Sequence, residues 1–361
     1  MSQDSYRDRV SALSVMLAPG RAYVSNEASS VRYLTGLASS NAAVAVWRDV
    51  AGSHVCVATD DRYAGQAREL LPEESIRIAR EVLAAAAQVA ADAGCGTLVA
   101  HSDLEVRELG VIRAIAHVDV VDQDPLRELR AVKSPRELES LSRACAITVE
   151  SLTALIPEIR IGMSEAVIAR LLELEFARRG ADDRAFPTIV ASGPHSAEPH
   201  HITSARTLEF GDFLLIDCGA MVNGYHADMT RTFVIGNADP WQRATYELVR
   251  EAQAAARSVA VPGVDCRDVD AAARNLITHA GMGANFAHGT GHGVGLDIHE
   301  APYLGPSVIG SLTAGMTITI EPGVYLPGRG GVRIEDTLVV TDSAHQVLTE
   351  APRGLQVLEA R

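Results

Sequence analysis

The hydrophobic rhythm changes about one third of the way along the chain. Up to about residue 125, short apolar runs alternate with helical stretches: "NAAVAVW", "SHVCVATD", "TLVAHS" and "HVDVVD" read as strands, with "RIAREVLAAAAQVAADAG" as a helix among them. This is an α/β pattern, and it contains no catalytic cluster. In "LRAVKSPRELESL", Ser134, Pro135 and Glu137 supply a cap, a first-turn proline and a capping-box acid for a new helix. Two domains are therefore expected, residues 1–128 and 129–361.

The second domain contains a faint repeat. "RIGMSEAVIARLLELEFARRG" and "VPGVDCRDVDAAARNLITHAG" each place a capped amphipathic helix before a terminal glycine, Gly180 and Gly281. A histidine-bearing loop follows each, and then a β-hairpin introduced by Gly211 or Gly315. Those two glycines lie 104 residues apart, as do Asp217 and Glu321. Two half-domains, each ending in an acidic hairpin, would face one another across a shared cleft.

The hairpins carry the first chemical signal. Asn223-Gly224 is a strong two-residue turn, and the register it sets puts Val222 opposite Tyr225 and Gly219 opposite Asp228. Asp217 and Asp228 then share a face as diagonal neighbours, and they repel unless a cation compensates. In "MTITIEPGVYLPGRGGVRIEDTLVV" the alternation puts Thr317, Thr319 and Glu321 on one face and Arg333, Glu335 and Thr337 on another polar face. Solvation accounts for any single hairpin acid; four in matched positions ask for more.

"HGTGHGVGLDIHE" adds His288, His292 and His299. The four-residue spacing of the first two suits a helical zinc pair, but the glycines between them disfavour a helix, and no dinucleotide-loop register fits. Composition narrows the rest. With 47% apolar and 22% charged residues the chain is an ordinary globular protein, and its net charge of −14 argues against nucleic acid or an anionic membrane as partner. Five cysteines without a CxxC read as buried hydrophobes, and "MSQDSYRDRV" has no signal-like apolar core. A cytoplasmic location is expected.

Asp217, Asp228, His292, Glu321 and Glu335, set in "DCGAMVNGYHADMTRT", "GHGVGLDIHE", "IEPGVY" and "GGVRIED", closely resemble the ligand set of the dinuclear metallopeptidases of the pita-bread fold. Among these, the chain is similar to the Xaa-Pro peptidases, prolidase and aminopeptidase P. The similarity is strong from about residue 130 to the end, and "VRYLTGLASS" resembles part of the smaller domain of the same enzymes. It implies an N-terminal creatinase-like α/β domain followed by an α+β pita-bread domain with pseudo-twofold repeat. It also implies a homodimer acting on short proline-containing peptides.

By the same resemblance, Asp217 holds one metal, Asp228 and Glu335 bridge two, and His292 with Glu321 holds the second. Glu321 also carries the proton, and His200 and His299 are the substrate-side histidines. His288 is expected to be structural, and His195 and His201, beside His200, to be surface residues. Four carboxylates and one imidazole suit Mn²⁺, with Zn²⁺ or Co²⁺ feasible. Arg333 would either receive a substrate carboxylate or pair with nearby acids, the first favouring a dipeptidase. Aminopeptidase P activity on longer peptides is the alternative. A methionine aminopeptidase fits less well because of the extra N-terminal domain, and a non-catalytic binding protein because no ligand is missing.

Overall fold

The computed structural model describes residues 3–359. The chain divides into two compact units, Met1–Arg130 and Ala131–Arg361. The first holds a six-stranded sheet in the order Ile76–Ile78, Gly52–Thr59, Ala42–Asp49, Arg21–Ser25, Thr97–His101, His117–Val121. The helix expected from "RIAREVLAAAAQVAADAG" is confined to Val82–Asp92, because Ile76–Ile78 leaves it to pair in parallel with Val57–Thr59. Its Val82, Leu83, Ala86, Ala87 and Ala90 are buried, and a stripe of alanines lets it lie close to the sheet. Arg21–Ser25, absent from the sequence reading, pairs with both Ala42–Asp49 and Thr97–His101.

The second unit is built from two like halves. In one, helices Pro135–Leu155 and Glu165–Arg178 pack on a sheet ordered Gln356–Leu358, Met229–Ile235, Phe213–Cys218, Ile189–Ser192. In the other, Pro240–Val259 and Cys266–His279 pack on a sheet ordered Glu300–Leu304, Gly291–Gly293, Thr317–Ile320, Asp336–Val340, His345–Val347. Each half has its own apolar core. Ser134 and Glu137 form the capping box read from the sequence. The helix-ending glycines Gly180 and Gly281 take φ of 83° and 76°, a left-handed conformation that glycine adopts without a Cβ clash.

The two hairpins meet through threonines. Thr230 Oγ1 donates to Glu335 Oε2 (2.6 Å), Thr232 Oγ1 to the carbonyl of Arg333 (2.9 Å), and Thr337 Oγ1 to the carbonyl of Asp228 (2.8 Å). The backbone N–H of Glu335 donates to the carbonyl of Thr230 (3.1 Å). These crossings bring the acidic faces of the halves together, giving the sequence repeat a physical purpose.

Candidate metal centre

In the first hairpin, Asp217 pairs with Thr230, Val222 with Tyr225 and Met221 with His226. Asp228 lies where the ladder is interrupted, opposite Gly219 in the same register. A Cβ on Gly219 would collide with the carbonyl of Ala227, so only glycine permits this close approach. The second hairpin breaks in the same manner. Thr317–Ile320 pairs with Asp336–Val340 and Gly323–Leu326 with Gly330–Arg333, leaving Glu321 and Glu335 facing one another at the gap. Their N–H groups turn away to the carbonyls of Thr290 and Thr230. Asp228, Glu321 and Glu335 thus stand where backbone pairing stops and side chains can turn inward, while Asp217 stays within its ladder.

Three sets of donor atoms gather here: Asp217, Asp228 and Glu335; His292, Glu321 and Glu335; Asp228, His292 and His299. His292 Nε2 lies 3.2 Å from Glu321 Oε1 and 3.7 Å from Asp228 Oδ2. Its Nδ1 lies 2.9 Å from the carbonyl of Gly293, which can only accept, so Nδ1 carries the hydrogen and Nε2 faces the acids. Strand Gly291–Gly293 is bulged between His292 and Gly293. That irregularity lets His292 and His299 meet edge-on, with ring centroids 4.3 Å apart. A buried ion pair, Lys133 Nζ to Glu300 Oε1 at 2.6 Å, holds the residue after His299.

The electrostatics ask for cations. Burial first, then the neighbouring carboxylates, push Asp228 and Glu335 well above the usual carboxylate range. Burial acts in the same direction on Glu321, but the hydrogen bond from His292 and the charges of His292, His288 and Arg333 together outweigh it and hold Glu321 at about 2. For His292, burial works downward and Glu321 prevails, raising its pKa. Burial and the neighbouring His292 lower His299.

Asp217 is the most telling. Its Oδ2 accepts from Arg333 Nη2 at 2.6 Å, whereas Oδ1 is buried without a hydrogen-bond partner among the described residues. An orphaned buried acceptor costs about 1–3 kcal/mol, more when charged. A divalent ion removes that cost, and the donor set of four carboxylates and one imidazole suits two such ions.

The model of metallopeptidase family M24 matches residues 139–342. The chain belongs to metallopeptidase family M24. An Xaa-Pro dipeptidase of Pyrococcus furiosus is 43% identical over 232 residues, 64% of this chain and 67% of that protein. The solved Xaa-Pro dipeptidase from Bacillus anthracis superposes with a TM-score of 0.91 at 31% identity, covering 98% of this chain and 100% of that one. The X-Pro aminopeptidase from Thermotoga maritima gives 0.82 at 30% identity over 93% and 97%. The second unit of this M24 chain has the pita-bread architecture.

Asp217, Asp228, His292, Glu321, Glu335, His200, His299 and Arg333 all line one cavity of about 960 Å³. Of the two roles left open for Arg333, the contacts favour the pairing with acids. Its guanidinium is buried and engaged by Asp217 Oδ2, by Thr230 Oγ1 at 3.0 Å, by Tyr325 Oη at 2.9 Å and by the carbonyl of Pro199 at 3.3 Å.

His195 and His201 depart from expectation: His201 is buried, His195 half-buried, and both contact Glu165. His288 lies 2.9 Å from Tyr325 Oη and 2.7 Å from the carbonyl of Gly289. Burial pushes Tyr325 up to about 12 and lowers His288, so the phenol keeps its proton and the imidazole stays neutral. A directed chain follows, in which Arg333 donates to Tyr325, Tyr325 to His288 Nε2, and His288 Nδ1 to Gly289. The sequence reading missed Tyr325 and Glu165. The register contained a sign of Tyr325, a diagonal neighbour of Arg333 beside Gly323, where a Cβ would collide with the phenol.

Proposed function

We propose that this M24 chain is a dinuclear metal-dependent Xaa-Pro dipeptidase, cleaving the bond before proline in short peptides. The observation that carries the reading is the donor set on the cavity wall, where Asp217, with one oxygen unpartnered, lies within ligand spacing of Asp228 and Glu335, and Glu335 of His292 and Glu321. Asp217 would hold one ion, Asp228 and Glu335 both, and His292 with Glu321 the second, with Mn²⁺ favoured by the oxygen-rich set. When bound, such a pair supplies a nucleophile at neutral pH and an electrophile for the scissile carbonyl.

The remaining work falls to the chain's own side chains. Glu321 would accept the nucleophile's proton and deliver it to the proline nitrogen, a tertiary amide nitrogen that leaves poorly without one. His299 and His200, both exposed to the cavity, would donate to the substrate carbonyl as negative charge develops there. Three arginines line the cavity. Arg333 is paired with Asp217 and Arg184 with Glu173, whereas Arg170 has no ion pair among the described residues. Arg170 would therefore meet the carboxylate of a dipeptide, one of the two roles left open for Arg333.

The dipeptidase names of relatives such as that of Pyrococcus furiosus support this choice over an aminopeptidase. All five cysteines are free and buried, in keeping with a reducing, cytoplasmic setting. The test compares kcat/KM for Ala-Pro or Met-Pro with that for the same pair extended by further residues. Preference for the dipeptide is expected; a clear preference for extended peptides would assign the chain to aminopeptidase P chemistry instead.

A further inference from the structure

Glu165 opens helix Glu165–Arg178, and its side chain is wholly buried. Six donors reach it from one loop and the ends of that loop. Oε1 receives the N–H of Ser192 (2.8 Å), Ser192 Oγ (2.7 Å) and His195 Nδ1 (3.0 Å). Oε2 receives the N–H of Ser204 (3.0 Å), Ser204 Oγ (2.7 Å) and His201 Nε2 (2.9 Å). The two imidazoles lie 4.4 Å apart between ring centroids. Glu165, His195 and His201 approach metal-site spacing, but both oxygens are saturated with donors, so the cluster is a closed knot.

The loop so gathered is the one that carries His200. Its other flank is tied down as well: Ser196 Oγ accepts from the N–H of Gly331 (2.9 Å), and the carbonyl of Pro199 accepts from Arg333 Nη1 (3.3 Å). His200 is left exposed to the cavity between these anchors. Charge-assisted hydrogen bonds to a buried carboxylate are short and directional, and a network of them admits few alternative geometries.

We infer that Glu165 is the positioning residue of His200, drawing Ser192, His195, His201 and Ser204 onto one carboxylate and so fixing the imidazole that faces the substrate. Glu165 touches no reacting atom, and the inference rests on the proposed role of His200. A misplacement of about 1 Å at a reacting group costs on the order of a hundredfold in rate.

The test is a double-variant cycle on the Mn²⁺-loaded enzyme with Glu165→Gln, His200→Ala and the pair combined. Glu165→Gln should lower kcat by about tenfold to a hundredfold with metal content unchanged, and the combined variant should match His200→Ala within about twofold. Losses that multiply would show a general structural role and overturn the inference. Should Glu165→Gln fail to fold, His201→Phe, which removes one donor, enters the same cycle with the same two outcomes. The spectrum of ¹⁵N-labelled histidine gives a readout free of activity. The His200 resonance should shift in the Glu165 or His201 variant, and an unchanged resonance overturns the inference. Failure of the wild type to cleave Xaa-Pro peptides would refute the proposed reaction, while that spectrum would still decide the anchor.

Discussion

Arg333 donates from Nη2 to Asp217 Oδ2 over 2.6 Å, while the other oxygen of Asp217 lies buried and unpartnered. One oxygen of the carboxylate is thus oriented by a fixed guanidinium, and the carboxylate lies within ligand spacing of Asp228 and Glu335. Replacing Arg333 with Met should weaken metal retention by about 10- to 100-fold, the usual cost of losing a partner of a ligand. Metal analysis of the dialysed variant by mass spectrometry checks this. Retention equal to wild type would show that the guanidinium does not orient Asp217.

Asp228→Asn should deplete metal more severely than His299→Ala. Asp228 is buried among the other acids and is proposed to hold both ions, whereas His299 is exposed to the cavity and faces substrate. The same metal analysis separates them. Equal depletion would make His299 a ligand, for which its place beside Asp228 and His292 gives the opening.

Arg170→Ala should raise KM for Xaa-Pro dipeptides by about 10- to 100-fold, the worth of one charged hydrogen bond, with a smaller effect on kcat. Peptides whose carboxyl end is amidated should bind wild type and variant alike. Steady-state kinetics on both substrates decide it, and a KM unchanged by the substitution would remove Arg170 from substrate binding.

Glu165 also makes a statement about stability. Burial opposes its charge, but the hydroxyl, imidazole and backbone donors prevail and hold its pKa at about 2, below the roughly 4.3 of an unfolded glutamate. A depressed carboxylate stabilises the fold fully above its unfolded pKa and loses that contribution as pH falls through the folded value. Glu165→Gln should therefore destabilise the fold at pH 7, and the difference from wild type should shrink between about pH 4.5 and 2. Denaturant titrations at stepwise lower pH, for as long as both proteins stay folded, measure this. A difference independent of pH would mean that shape, and not charge, holds the loop.

Much of this was legible in sequence because hairpins obey a strict period of two. Asn223-Gly224 set a register that the structure keeps from Tyr225 back to Asp217, and Ser134 with Glu137 marked the start of the second unit's first helix. Arg21–Ser25 was illegible because its residues, "RAYVS", do not alternate cleanly and it owes its place to partners on both sides. His195 and His201 were misread as surface groups because their partner, Glu165, is 30 and 36 residues away, beyond the reach of any local pattern. Arg333 showed its face in the alternation but not its partners, since Asp217 reaches it from the other hairpin.

The central claim is that peptidase activity belongs to a pair of divalent ions held by Asp217, Asp228, His292, Glu321 and Glu335. The most direct test is a titration of the exhaustively chelated protein with Mn²⁺, following Xaa-Pro cleavage and bound metal together. Activity should be absent in the stripped protein and should return as the second equivalent binds. Full activity in a sample verified to be metal-free would contradict the account.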